Sequence, residues 1–162
     1  MARTSKHSGR TALVTGASSG IGEELARCFA KGGFDLVLVA RSMDKLRALA
    51  TELESAYGVA VRVQPADLSK PGAAQTLAAA LKRRRVAVDV LVNNAGVLEQ
   101  GAFRDMTASR HQELIDLNVS GLAGVGADHL QHRPLHRLQH RQGRRHRRHH
   151  LGPLPVPVPH ID

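Results

Sequence analysis

Four short segments of this 162-residue chain hold residue types whose spacing suits the binding of a phosphorylated ligand. The first is Thr15-Gly16-Ala17-Ser18-Ser19-Gly20-Ile21-Gly22. Its glycines let the backbone turn tightly and come close to an anion. A helix starting at Gly20 would offer a pyrophosphate unpaired N–H groups and the positive end of its dipole. The spacing is TGxxxGxG, not the GxGxxG of the general dinucleotide fingerprint. Alone it could be a structural glycine turn; between an apolar run and an amphipathic stretch it reads as a phosphate loop. The second is Arg41, where a carboxylate would hold a ribose 2′-hydroxyl and an arginine suits a 2′-phosphate instead. A solvated arginine at a helix start is its plainer explanation. Asp67-Leu68 is the third: the acid can accept from an adenine amino group or cap the following helix. Asn93-Asn94-Ala95-Gly96 is the fourth, with amides able to bridge strand ends and a small pair that lets a ligand pass close to the backbone.

The elements that must position these segments alternate. Thr11–Thr15 is a short apolar run, and Ile21, Leu25, Cys28 and Phe29 then recur at helical spacing up to Gly32-Gly33. Leu36–Val39 reads as a second strand, and Met43, Leu46, Leu49, Ala50 and Leu53 as one face of a second helix. Val59–Val63 is expected to be a third strand, Pro71 to open a third helix with Leu77, Ala78 and Leu81 inward, and Val86–Val92 to be a fourth strand. A fourth helix is expected from about Thr107, with Leu114, Ile115 and Leu117 as its apolar positions. Strands that are apolar throughout are buried on both faces, as in a parallel sheet covered by helices. Alternating strands and helices with right-handed crossovers give an open, doubly wound α/β sheet of the Rossmann type. Such sheets bind ligands at the carboxyl ends of their strands, where all four segments lie.

Taken together and in this order, the segments give residues 10 to about 124 a resemblance to the N-terminal half of the short-chain dehydrogenase/reductase family. The matches are Thr15-Gly16-x-x-x-Gly20-x-Gly22, Asp67, Asn93-Asn94-Ala95-Gly96, and Asn118 within Leu117-Asn118-Val119. The resemblance implies a Rossmann-type sheet, a nicotinamide cofactor, and hydride transfer with a small alcohol or carbonyl substrate; Arg41 favours NADP over NAD. It implies that Gly16, Ser18, Ser19, Gly20, Ile21 and Gly22 line the phosphate loop, and that Asp67 and Leu68 meet the adenine. Asn94, Ala95 and Gly96 would lie beside the cofactor. Asn118 would be the first member of a catalytic tetrad, positioning a proton-relay water.

The remaining tetrad members are a serine and a tyrosine and lysine spaced YxxxK. The lysine and the oxidised nicotinamide lower the tyrosine's pKa so that it can exchange a proton with the substrate oxygen. Here Tyr57 is the one tyrosine, no serine follows Ser120 and no lysine follows Lys82. The fold is therefore expected to stop after its fourth strand and helix, leaving an uncovered sheet edge and an exposed apolar helix face. The expected activity is an NADP-dependent oxidoreductase by family, inactive in this truncated form. The alternative is a non-catalytic nucleotide-binding remnant whose cationic tail binds polyanions.

That tail follows from an uneven charge distribution. Residues 1–128 carry 16 Lys and Arg against 13 acids, whereas residues 129–162 carry seven Arg and one acid, with seven histidines between His129 and His150. The domains expected are a disordered 1–9, a nucleotide-binding 10–124, and a low-complexity 125–162, disordered or translated out of frame. Its prolines oppose central-strand pairing. Residues 129–162 lack an aromatic for base stacking, which argues against nucleic acid, and their histidine spacings define no metal site. Read one base later, CGN and CAY codons would permit Gly-Asp-Ile-Val-Val-Ile-Thr-Ser across Arg144–Leu151, resembling the family's strand into its catalytic serine.

The 42% hydrophobic content suffices for a core, and no apolar run is long enough to span a membrane. Met1–Arg10 has no apolar signal region, and the single Cys28 excludes a disulfide framework, so a reducing cytoplasmic setting is expected. Cys28 is expected in the core, His111 on a helix surface, and Arg83-Arg84-Arg85 at a helix C-terminus, where cations complement the dipole. The family forms homo-oligomers through helices in the region this chain does not match, so self-association is not expected here.

Overall fold

A computed structural model of the protein describes residues 9–131, with no account of the side chains of residues 128–131. The segment 1–8 expected to be disordered, and 132–162 with most of the expected low-complexity basic tail, lie outside the described residues. Four parallel strands make one sheet in the order β3-β2-β1-β4: Thr11–Thr15 (β1), Asp35–Ala40 (β2), Val61–Pro65 (β3) and Val90–Val92 (β4). The helices between them are Gly20–Lys31 (α1), Met43–Tyr57 (α2) and Ala73–Arg83 (α3). Beyond β4 come a 3₁₀ turn at Phe103–Asp105, a helix at Ala108–Ile115 (α4), a π turn at Asp116–Gly121 and a last helix at Leu122–Gln131 (α5).

The strict alternation of side chains along a strand divides the core into two layers. Ala12, Val14, Leu36 and Leu38 face α1 and α2, packing with Ala26, Ala30, Leu46, Leu49 and Leu53. Leu13, Val37 and Val39 face the other way, onto Leu68, Ala74, Leu77 and Val125. The sheet is thus covered on both sides, as expected for a doubly wound fold, with β1 and β2 buried beyond their first residues. In register, Leu13 lies opposite Val37, and Val14 opposite Val92.

Several local expectations are corrected. The buried stripe of α1 is Gly22, Ala26 and Ala30, not Ile21, Leu25, Cys28 and Phe29. Small residues let the helix axis lie close to the sheet, so the large side chains turn to its flanks: Ile21 is 74% exposed. Cys28 is exposed rather than in the core. Phe29 is half-buried, meeting Phe34 edge-on with ring centroids 5.2 Å apart. β3 begins two residues later than expected and β4 is confined to Val90–Val92. Both are edges and only partly buried, because a strand paired on one side lacks the cover a central strand has. α3 begins at Ala73, after Gly72 at φ 76°, rather than at Pro71. α4 is capped by Thr107, whose Oγ1 accepts from the Arg110 N–H at 3.2 Å, close to the expected start. It stops at Ile115, however, and Leu117 falls in the π turn. α5 runs on past residue 124, and its Val125 is buried against α3, so ordered packing crosses the boundary expected there.

Candidate functional site

In the order β3-β2-β1-β4, the chain runs outward from β1 in one direction, then returns to add β4 on β1's other side. The crevice between the carboxyl ends of β1 and β4 is the point where the strand order reverses, the usual ligand position in such sheets. Two of the segments meet there.

The glycine segment leaves β1 with Gly16 at φ 68°, a left-handed conformation that a side chain would strain. A Cβ on Gly16 would also lie 2.9 Å from the Ala95 Cα. Gly22, buried in the first turn of α1, is tighter: a Cβ there would lie 2.3 Å from the Gly16 carbonyl oxygen and 2.5 Å from Asn94 Nδ2. Gly20 is different, at φ 58° with open space around the position of a Cβ. Ser18 is half-exposed, and Ser19, Gly20 and Ile21 are exposed. No side chain caps the start of α1. The loop is therefore crowded where it backs onto β4 and open at its tip, where α1's first N–H groups and dipole face outward. That arrangement fits a pyrophosphate.

The second wall is Asn93–Val97. Asn94 donates through Nδ2 to the Thr15 carbonyl at 3.1 Å, tying β4's end to β1's as expected of a paired amide. Thr15 does more than sequence reasoning assigned it. Its buried Oγ1 donates to the Val92 carbonyl at 3.2 Å and accepts from the Asn94 and Ala95 N–H groups at 3.0 and 2.9 Å. A hydroxyl directly before the first glycine was the available signal: an interior strand end has few other polar groups with which to turn a neighbouring loop. Asn118 comes from the π turn and holds the loop's far end, donating to the Val97 carbonyl at 3.0 Å and accepting its N–H at 3.1 Å. A Cβ on Gly96 would lie 2.8 Å from Asn118 Oδ1, so only glycine allows the carboxamide this close to the loop. Asn118 thus stands at the same crevice as Gly16, Gly22, Asn94, Ala95 and Gly96.

Arg41 and Asp67 lie further along, past the ends of β2 and β3. Arg41 is exposed. Asp67 does not cap α3; its Oδ1 accepts from the Ser69 hydroxyl at 2.6 Å and the Ser69 N–H at 3.2 Å. The Ser69 hydroxyl is the main cause holding this carboxyl below its ordinary range, against partial burial. The Ser69 N–H and the charges of Arg41 and Lys70 act in the same direction as the hydroxyl. The Leu68 side chain is buried among Ala74, Leu77 and Val125, leaving its backbone for any ligand contact. Its carbonyl backs onto Gly121, where a Cβ would lie 2.5 Å away. This second missed position had one signal, a glycine three residues after Asn118 in a helical stretch.

His111 is not a free surface residue. It is half-buried and stacks on Phe103 with ring centroids 4.2 Å apart. Among the described residues no group of three or more His, Cys, Asp or Glu side chains could hold a metal, and no helix is long and apolar enough to cross a membrane.

Comparison with known proteins bears on this geometry. The short chain dehydrogenase family pattern matches residues 10–140. Oxidoreductase UcpA of Salmonella typhimurium is 41% identical over 120 residues, covering 74% of this chain and 45% of that protein. Among solved structures, a short-chain dehydrogenase from Sphingobium yanoikuyae in complex with NADPH superposes with a TM-score of 0.69. It is 42% identical, over 74% of this chain and 46% of its own. L-sorbose reductase from Gluconobacter frateurii, complexed with NADPH and L-sorbose, gives a TM-score of 0.73 at 30% identity, over 80% and 49% of the two chains. This chain spans about half the length of the relatives it matches.

Proposed function

This chain belongs to the short-chain dehydrogenase family, and from that premise we propose that residues 10–131 form a binding unit for NADP(H). One observation carries the reading: the glycine loop after β1 and Asn94–Gly96 after β4 are locked together by Thr15 and Asn94 at the reversal of strand order. Ser18, Ser19, Gly20 and Ile21 receive the pyrophosphate at the open tip of that loop. Arg41 takes the 2′-phosphate, which selects NADP over NAD. The NADPH-bound relatives support this choice. Asp67 accepts from the adenine amino group, since a carboxylate held ionised is a strong acceptor. Ala95 and Gly96 let the nicotinamide end pass close to the backbone, and Asn118 holds that wall in place.

When bound, the cofactor supplies a hydride for a carbonyl carbon or accepts one from an alcohol. The proton that must accompany it needs an acid or base at the substrate oxygen. These 162 residues provide no serine after Ser120 and no YxxxK pair, and Tyr57 closes α2 at its far end. A protein of these residues alone therefore binds the nucleotide without turning substrate over.

Titrating the purified chain with NADPH and NADH, following nicotinamide fluorescence, tests both parts. Saturable NADPH binding is expected, with Arg41→Ala lowering the preference over NADH about tenfold. NADPH should not be consumed with a panel of aldehydes and ketones. Absence of saturable binding would sink the nucleotide reading; turnover by a mass-verified sample would sink the second claim.

A further inference from the structure

The loop after β4 and the helical stretch carrying Asn118 are joined by two carboxamides facing in opposite directions. Asn93, at the start of the loop, donates Nδ2 to the Leu122 carbonyl at 3.1 Å. Asn118 returns the connection, bonding both backbone groups of Val97 at the loop's end. Residues 93–97 and 118–122 thus form a ring closed at both ends. Asn94 and Asn118 have parts in the proposed site; Asn93 has none so far.

We infer that Asn93 is a positioning residue for Asn118. The helix is widened to a π turn over Asp116–Gly121, a less stable geometry than the α-helix on either side. Apolar packing holds this turn at one point only: Leu117 is half-buried against the Leu68–Leu77 layer, while Val119 is 60% exposed and Leu122, opening α5, 41%. Gly121, against the Leu68 carbonyl, fixes how closely the turn approaches the rest of the fold, but supplies no directional bond. Its directional ties to the sheet are the two carboxamides. Asn118's pair of bonds to one residue requires its backbone to stay at a fixed distance from Val97, and Asn93 sets that distance by anchoring Leu122. Losing either tie frees the turn to relax and so weakens the other.

Asn118's part in the site rests on the proposed function, but the coupling can be measured without nucleotide. In the ¹⁵N-labelled full chain, side-chain amide exchange of Asn93, Asn94 and Asn118 is followed by NMR. Asn94, held by the Thr15 and Gly16 carbonyls, is the internal control. Asn93→Ala should speed Asn118 exchange about tenfold or more, and Asn118→Ala should speed Asn93 exchange by the same factor, because coupling is reciprocal. Asn94 should hold its rate in both. An unchanged Asn118 in Asn93→Ala overturns the inference, as does equal acceleration of all three amides, which would mark general loosening. Should neither variant fold, the unsubstituted chain decides, since exchange of either Asn93 or Asn118 at the rate of a free peptide overturns the ring. Loss of NADPH binding in the unsubstituted chain would count against the proposed function and leave this result standing.

Discussion

Two regions of the fold are held by different forces. Around β1 and β2, with α1 and α2, the structure rests on apolar burial: Leu36, Leu38, Leu46 and Leu53 are fully buried. Around β4, α4 and the π turn, burial is partial, with Ile115 50% exposed. There the bonds of Thr15, Asn93, Asn94 and Asn118 hold the chain in place. Apolar burial is strong but non-directional, whereas hydrogen bonds add little net energy and fix geometry. The first region makes the fold stable, and in the second, more thinly packed, hydrogen bonds set the shape of the proposed ligand wall. Arg27 adds a surface clamp to the first region, reaching Glu23 and Glu24 within α1 and Glu52 on α2. The hydrogen bonds to Glu52 and Glu23 raise its pKa further. Being exposed to solvent and salt, that clamp is secondary to the leucines.

The largest expected effect separates the two regions directly. Leu38→Ala should lower unfolding free energy by about 2–5 kcal/mol, since a fully buried side chain leaves a cavity. Val119→Ala should stay within about 0.5 kcal/mol, as for other exposed positions. Urea denaturation of both variants checks this, and equal losses would erase the distinction.

A smaller effect is expected at the seam. Thr15→Val keeps the shape and removes the acceptor. The Asn94 N–H retains the Val92 carbonyl at 3.1 Å, so the Ala95 N–H is the group left without its partner. The cost should be about 1–3 kcal/mol, with Thr15→Ser near the unsubstituted protein and NADPH affinity falling only in the valine variant. A valine variant with unchanged stability and affinity would mean that Thr15 does not organise the β4 wall.

The smallest effect concerns Asp67. Its folded-state pKa is lowered, chiefly by the Ser69 hydroxyl. The stability this contributes is fully present above the unfolded carboxylate value. It is lost as pH falls through the lowered folded value, because the unfolded chain binds the proton first. Between about pH 5 and pH 3, the urea midpoint of Asp67→Asn should therefore fall less steeply than that of the unsubstituted chain. Parallel curves would show that the Ser69 bonds do not favour the ionised form.

Individual elements differed in how far the sequence foretold them. Leu46, Leu49, Ala50 and Leu53 named the buried face of α2 correctly, because a long amphipathic helix shows its period plainly. On α1 the same reasoning chose the large residues, Ile21 and Cys28 among them. The sheet instead required the small stripe Gly22, Ala26 and Ala30, since close helix–sheet approach leaves no room for bulk. Val86–Val92 looked like a full strand, but as an edge only Val90–Val92 pairs.

What the sequence by itself determined is the order of elements, the parallel sheet, the glycine loop and the family, all properties that local periodicity and short motifs carry. Which residues meet was a matter for the tertiary structure. Thr15 and Ala95 are 80 residues apart, and Asn93 and Leu122 are 29 apart. The Asn93-Asn94 pair announced amides able to bridge strand ends, but no local pattern encodes which backbone groups become their partners when β4 returns to lie beside β1. The backbone groups these side chains bond are common to every residue, so only their placement in the fold distinguishes them.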